Sequence, residues 1–174
     1  LVNNTSRDCR PFILTAEHCA ENVTKDGLNQ SIAFFNYEKA ICNAGNANSD
    51  NTILGMTLRA STSFSNGSDI MLLELNEEIP PEYNPYYNGW NKLDKLFLGG
   101  GVSIHHPKGD VKKISTYQSD LITADDSGIN DNAFWQVNWV KTENGHGVTE
   151  VGSSGAPVFN NEKLVVGALS VGTS

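Results

Sequence analysis

Short apolar runs closed by Gly, Asn, Asp or Pro recur along this chain at intervals of roughly 8 to 15 residues, a spacing that suits strands and leaves little room for helices. Twenty asparagines and 16 glycines supply the punctuation. The runs are rich in β-branched and aromatic residues, which fit a pleated, half-buried surface. They predict strands over Pro11 to Thr15, Ser31 to Tyr37, Ile53 to Ala60, Ile70 to Leu75, Gly101 to His106, Val111 to Gln118, Ala133 to Val140, Ala156 to Phe159 and Lys163 to Ser170. Helical periodicity is confined to about one turn around Ala16 to Ala20. The expected class is therefore all-β.

Glu77 to Leu93, with Pro80, Pro81 and Pro85, is the longest piece without strand alternation and reads as a crossing between two β units. The expected division is 1–80 for the first unit and 81–174 for the crossover and the second. At 174 residues the chain suits one domain or two half-domains sharing an interface. Val, Ile, Leu and Phe make up 43 of those residues, enough to exclude bulk disorder. A net charge of −8 has the wrong sign for a phosphate backbone or an anionic membrane surface. No apolar run approaches the roughly 20 residues of a helical membrane span. Neither nucleic acid nor a membrane is thus an expected partner. Three cysteines without a CxxC pair allow at most one internal bridge and no structural zinc site.

Three stretches carry chemistry. Gly152-Ser153-Ser154-Gly155-Ala156-Pro157 precedes an apolar strand. A nucleophilic Ser154 needs N–H groups aimed at the oxygen that becomes negative, and Gly152 and Ser154 are the candidate donors. Thr15-Ala16-Glu17-His18-Cys19 follows the apolar Phe12-Ile13-Leu14 and displays His18 as a general base. Asp69 opens the nearly continuous apolar strand Ile70 to Leu75, where a shielded carboxylate can accept the imidazole N–H. Taken singly, each stretch also has a structural reading: a Gly/Ser turn, a structural histidine, a turn-capping aspartate. Together they fall in the order His, Asp, Ser, which differs from the subtilisin and α/β-hydrolase orders. His105 and His106 resemble a metal pair, but neighbours on a strand point to opposite faces, so no metal is expected. Lys108, Lys112 and Lys113 read as a solvated hairpin edge, and Trp90, Trp135 and Trp139 as groove or core.

Through these three motifs the sequence resembles the trypsin/chymotrypsin superfamily. It is more closely similar to the bacterial secreted lysyl endopeptidase group through Leu1-Val2-Asn3-Asn4-Thr5, Asn88-Gly89-Trp90, Ile104-His105-His106-Pro107-Lys108-Gly109-Asp110 with Lys113-Ile114-Ser115, and Gly147-Val148-Thr149-Glu150. The resemblance implies a chymotrypsin-like pair of six-stranded antiparallel β-barrels, incomplete at both ends here. It implies a trypsin-like serine endopeptidase, a monomer that works without a cofactor through His18, Asp69 and Ser154 and cleaves a peptide or protein substrate after Lys or Arg. It also implies a bridge from Cys19 to Cys42 that leaves Cys9 over. Thr149 and Glu150 would form a wall of the specificity pocket, and Ser170, Val171 and Gly172 would pair with the bound peptide as an added strand. Four positions depart from these patterns: Ser153 from the wider superfamily, though the group also has a small residue there, and Ala156, where the group commonly has Ser, with Val151 and Ser170 from the group itself. Ser153 stands where trypsin-like zymogens carry an Asp that pairs with a newly released N-terminus, so activation by that ion pair is not expected. Val151 replaces a frequent Pro, and Ser170 falls where the group tends to have a histidine. The rival functions are a catalytically inactive homologue serving as a binding module, and an esterase using the same three residues.

Overall fold

Strand β5, Ile70–Leu75, is apolar on both faces and becomes the centre of the first sheet. In the computed structural model it is flanked by β1, Phe12–Thr15, and β4, Met56–Thr62, both antiparallel to it. The structure describes residues 1–41, 45–93, 99–126, 129–143 and 145–172, with backbone alone for 125, 126 and 129–131. A hairpin of β2, Ile32–Phe34, and β3, Thr52–Leu54, completes the strands of the first half. The predicted strand from Ile53 to Ala60 is split at Gly55, whose φ of 83° turns the chain between β3 and β4.

The second sheet runs in the order β11, β10, β6, β7, formed by Val165–Ala168, Pro157–Asn160, Gly101–His105 and Lys113–Tyr117. Beside it lies a hairpin of β8, Ile122–Asp126, and β9, Ile129–Gln136. The sequence does not single out β8, and it sets the strand near Ala133 about four residues too far along, because Asn and Asp inside β9 read as a turn. The fold is a chymotrypsin-like all-β arrangement of incomplete barrels: the described sheets have three and four strands and remain open. Between the halves, a short turn at Pro81–Tyr83 and a bridge from Trp90 to Val165 carry the chain across without a strand. Lys25–Asn29 forms a one-turn helix, capped by the Thr24 hydroxyl accepting the Gly27 N–H at 3.1 Å. Sequence periodicity cannot reveal so short a helix.

Three apolar clusters hold these pieces. Leu28, Met71 and Leu73 fill the first half, while Tyr117, Leu121 and Val158 fill the second with Trp135 and Trp139 against them. The third, Val2, Phe12, Phe159 and Val165, joins strands of both halves. Tyr117 is buried and its hydroxyl donates to the Phe159 carbonyl at 2.9 Å, tying β7 to β10. Lys108, Lys112 and Lys113 are exposed, as a solvated edge requires, and pair with Glu150, Glu38 and Asp110.

Candidate active site

His18 lies in the 3-10 turn Glu17–Cys19, reached directly from β1. Asp69 lies just before β5, the strand paired with β1, so sheet register brings the two residues together. The turn is pinned to Asp69 three times. Glu17 N–H donates to its backbone carbonyl at 3.2 Å, His18 N–H to its Oδ1 at 2.9 Å, and His18 Nδ1 lies 2.7 Å from its Oδ2. Asp69 is 1% exposed and has a left-handed φ of 51°, sparsely populated for residues other than glycine. A fourth bond comes from the hydroxyl of Ser170, which donates to Asp69 Oδ2. Burial alone pushes this carboxyl up. The bonds from Ser170 and from both His18 nitrogens outweigh it and hold the carboxyl below its ordinary value. Asp69 is therefore ionised and fixes the His18 ring with Nδ1 as donor and Nε2 outward.

Ser154 belongs to the loop from Glu150 to Ala156. Ser153 N–H donates to the Glu150 carbonyl at 2.9 Å, and Ala156 N–H to the Ser153 carbonyl at 3.1 Å. The N–H groups of Gly152 and Ser154 donate to no acceptor among the described residues, which leaves both open to an incoming oxygen. The loop meets the histidine turn at Gly155, where a Cβ would stand 2.1 Å from Thr15 Oγ1 and 2.9 Å from Ala16 N. Only the missing side chain permits that approach. Ser154 Oγ makes a long bond of 3.5 Å to the Ser170 carbonyl and none to His18, while Cys19 Sγ is 3.9 Å from His18 Nε2. Ser170 thus touches both Ser154 and Asp69, and Asp69 holds His18.

The other expected site residues divide. Thr149, Ser170, Val171 and Gly172 line a cavity of about 610 Å³ with Trp135 and Trp139. Thr149 Oγ1 accepts from the Trp139 indole at 3.3 Å and faces Gly172. Glu150 instead pairs with Lys108 at 2.6 Å. Cys9 and Cys19 are free thiols among the described residues, and the expected bridge partner Cys42 lies outside them. His105 and His106 diverge as strand geometry requires: His105 is buried, and His106 Nδ1 faces the Asp110 carbonyl at 3.0 Å. Sequence reasoning missed two roles, the bond from Ser170 to Asp69 and the burial of His105 against Ser153, 48 residues away. No local signal marks either.

Two open antiparallel sheets, with a His–Asp pair and a glycine-framed serine loop where they meet, make up a chymotrypsin-like fold. Residues 1–174 match the family described as lysyl endopeptidase, C-terminal domain, and the chain belongs to that family. It is 31% identical over 157 residues to a lysyl endopeptidase of Pseudomonas aeruginosa, a match covering 90% of this chain and 32% of that protein. The chain thus spans about a third of that relative's length. A crystal structure of Rv3671c from M. tuberculosis H37Rv, a serine-to-alanine mutant in an inactive form, shares the fold. Its TM-score is 0.51 at 13% identity, over 99% of this chain and 68% of that one.

Proposed function

We propose that this chain bears the catalytic site of a secreted bacterial serine endopeptidase that hydrolyses peptide bonds after Lys or Arg. The observation that carries the reading is the double hold of Asp69 on His18, through backbone N–H and Nδ1, directly beside Ser154. Rotation of Ser154 about χ1 would direct its hydroxyl toward His18 Nε2. Ser154 Oγ would then attack the carbonyl carbon as His18 takes its proton, and His18⁺ would return that proton to the leaving amine as the acyl-enzyme forms. Asp69 stays ionised and stabilises the imidazolium. The N–H groups of Gly152 and Ser154 receive the oxyanion. Water, deprotonated by His18, then hydrolyses the acyl-enzyme.

The walls at Thr149 and at Ser170 to Gly172 suit an extended peptide entering the cavity. The basic preference rests on the relative's name and on the expected family pattern, since Glu150 already has Lys108 as its partner. In the full-length protein, Ser154→Ala or His18→Ala is expected to lower turnover of a peptide amide by about 10⁴ or more. A fluorophosphonate should label Ser154. An unlabelled wild-type protein would favour a binding module, turnover of simple esters alone would favour an esterase, and cuts mainly after Phe, Leu or Glu would overturn the specificity.

A further inference from the structure

Against the serine loop lies a buried polar group that the catalytic steps above do not use. His105 closes β6 and is 1% exposed. Its Nδ1 is 2.7 Å from Ser153 Oγ and its Nε2 is 2.9 Å from Ser115 Oγ, on the neighbouring strand β7. Both serines are buried as well. Ser153 Oγ also accepts the N–H of Glu150 at 3.2 Å. A buried hydroxyl proton must find an acceptor, and within this group His105 Nδ1 is the one in reach. The network therefore assigns Nδ1 as acceptor from Ser153 and Nε2–H as donor to Ser115, which requires a neutral ring.

Ser153 lies between the two residues whose N–H groups are open, Gly152 and Ser154, so its side chain governs the peptide planes on either side. From the outer face the same loop is held by Lys108, whose N–H donates to the Val151 carbonyl at 2.8 Å. The loop is clamped between the turn after β6 and the side chain that ends β6. The Ser153 position carries no charge and is joined to a buried imidazole.

We infer that His105 is a positioning residue for the hydrolysis proposed above: braced by Ser115, it holds Ser153 and thereby sets the oxyanion-binding conformation of Gly152 and Ser154. The inference rests on the serine-protease reading and assigns it a means of loop control. Burial pushes the His105 imidazole down from its ordinary value, His106 adds to that, and Glu150 opposes it. The titratable groups around it are His106, Glu150 with its partner Lys108, and Lys113, its register partner, paired with Asp110. Protonation of Nδ1 would leave the Ser153 hydroxyl without an acceptor and loosen the loop.

The test compares full-length wild type with Ser153→Ala, His105→Leu, the double variant and His105→Gln, whose amide keeps a neutral donor and acceptor. Because His105→Leu removes a buried polar group from the core, Ser153→Ala is the principal variant, with thermal unfolding to confirm its fold. The expected result is a kcat lower by about 10- to 100-fold with KM changed little, since the loss falls on transition-state binding. The double variant should be no worse than either single one, and His105→Gln should recover part of the loss. The backbone amide resonances of Gly152 and Ser154 should shift in Ser153→Ala. An active wild type with Ser153→Ala at wild-type kcat, with both amide resonances unmoved, or with fully additive losses in the double variant overturns this inference and leaves the protease reading intact. A wild type that neither hydrolyses peptides nor takes a fluorophosphonate overturns the protease reading itself.

Discussion

Asp69 accepts three hydrogen bonds at its side chain, from His18 N–H, His18 Nδ1 and Ser170, while its backbone is held in a left-handed conformation. Asn fits both the space and the conformation, so Asp69→Asn should fold yet fail. The amide can donate to Nδ1 and favour the wrong imidazole tautomer, lowering kcat by about 10³ to 10⁴. Steady-state kinetics with a peptide amide checks it. The lowered carboxyl value has a second consequence. Because the folded value lies below the unfolded one, the stabilisation is complete above the unfolded value of about 4 and fades as pH falls through the folded value. The thermal midpoint of wild type should therefore drop on acidification below pH 4 more steeply than that of Asp69→Asn. At this scale the sequence makes His18, Asp69 and Ser154 legible, because their flanking strands and their order along the chain are local facts. Ser170 is read there as a peptide-binding position departing from a histidine; that its hydroxyl reaches Asp69, 101 residues away, depends on how the two halves meet.

Elements decide how closely the serine loop can approach the histidine turn. Gly155 combines a φ of 79° with a backbone that touches Thr15 and Ala16. A methyl group at that position must displace one of the two segments, so Gly155→Ala is expected to lower kcat by at least about 100-fold. The fold should survive, since the contact lies at a loop and not within a strand. Circular dichroism unchanged beside lost turnover would bear this out; turnover within a factor of two of wild type would contradict it. Strand positions such as β1 and β5 are legible because apolar runs end at turn residues. Their lengths are less so. Gly55 breaks one predicted strand, and β8 escapes notice because Ala124 and Asp126 weaken its apolar pattern.

At the scale of the whole molecule, the two sheets share a cluster in which Phe12 from the first half packs with Phe159 and Val165 from the second. Truncating Phe159 to Ala should cost about 3–5 kcal/mol, measured by urea unfolding. Because the cluster belongs to both halves, that unfolding is expected to be a single transition. Trp135 and Trp139 pack against the cluster of the second half, while the Trp90 indole donates to the Asn3 carbonyl at 2.9 Å, so tryptophan fluorescence follows the second half and its junction with the first. Far-UV circular dichroism reports on both. Coincident curves are expected, and separated midpoints would show that the halves unfold independently. The sequence supports a two-unit β architecture through its proline-rich middle segment. It cannot show whether the barrels close, because closure depends on pairings between strands distant along the chain.

The bond from Tyr117 to the Phe159 carbonyl bears on how the protein endures alkali. Burial pushes this phenol up to about 12 from an ordinary value near 10, so the folded state retains its proton where an exposed tyrosine would release it. A raised folded value gives stabilisation that is complete below the unfolded value and is lost as pH rises through the folded one. The crosslink between β7 and β10 should therefore persist through mildly basic media, then weaken toward pH 12. Tyr117→Phe keeps the ring and removes the hydroxyl, and with it this particular alkaline sensitivity. Incubation of both proteins across pH 9 to 12, followed by return to neutral buffer, should show wild type losing its advantage only at the top of that range.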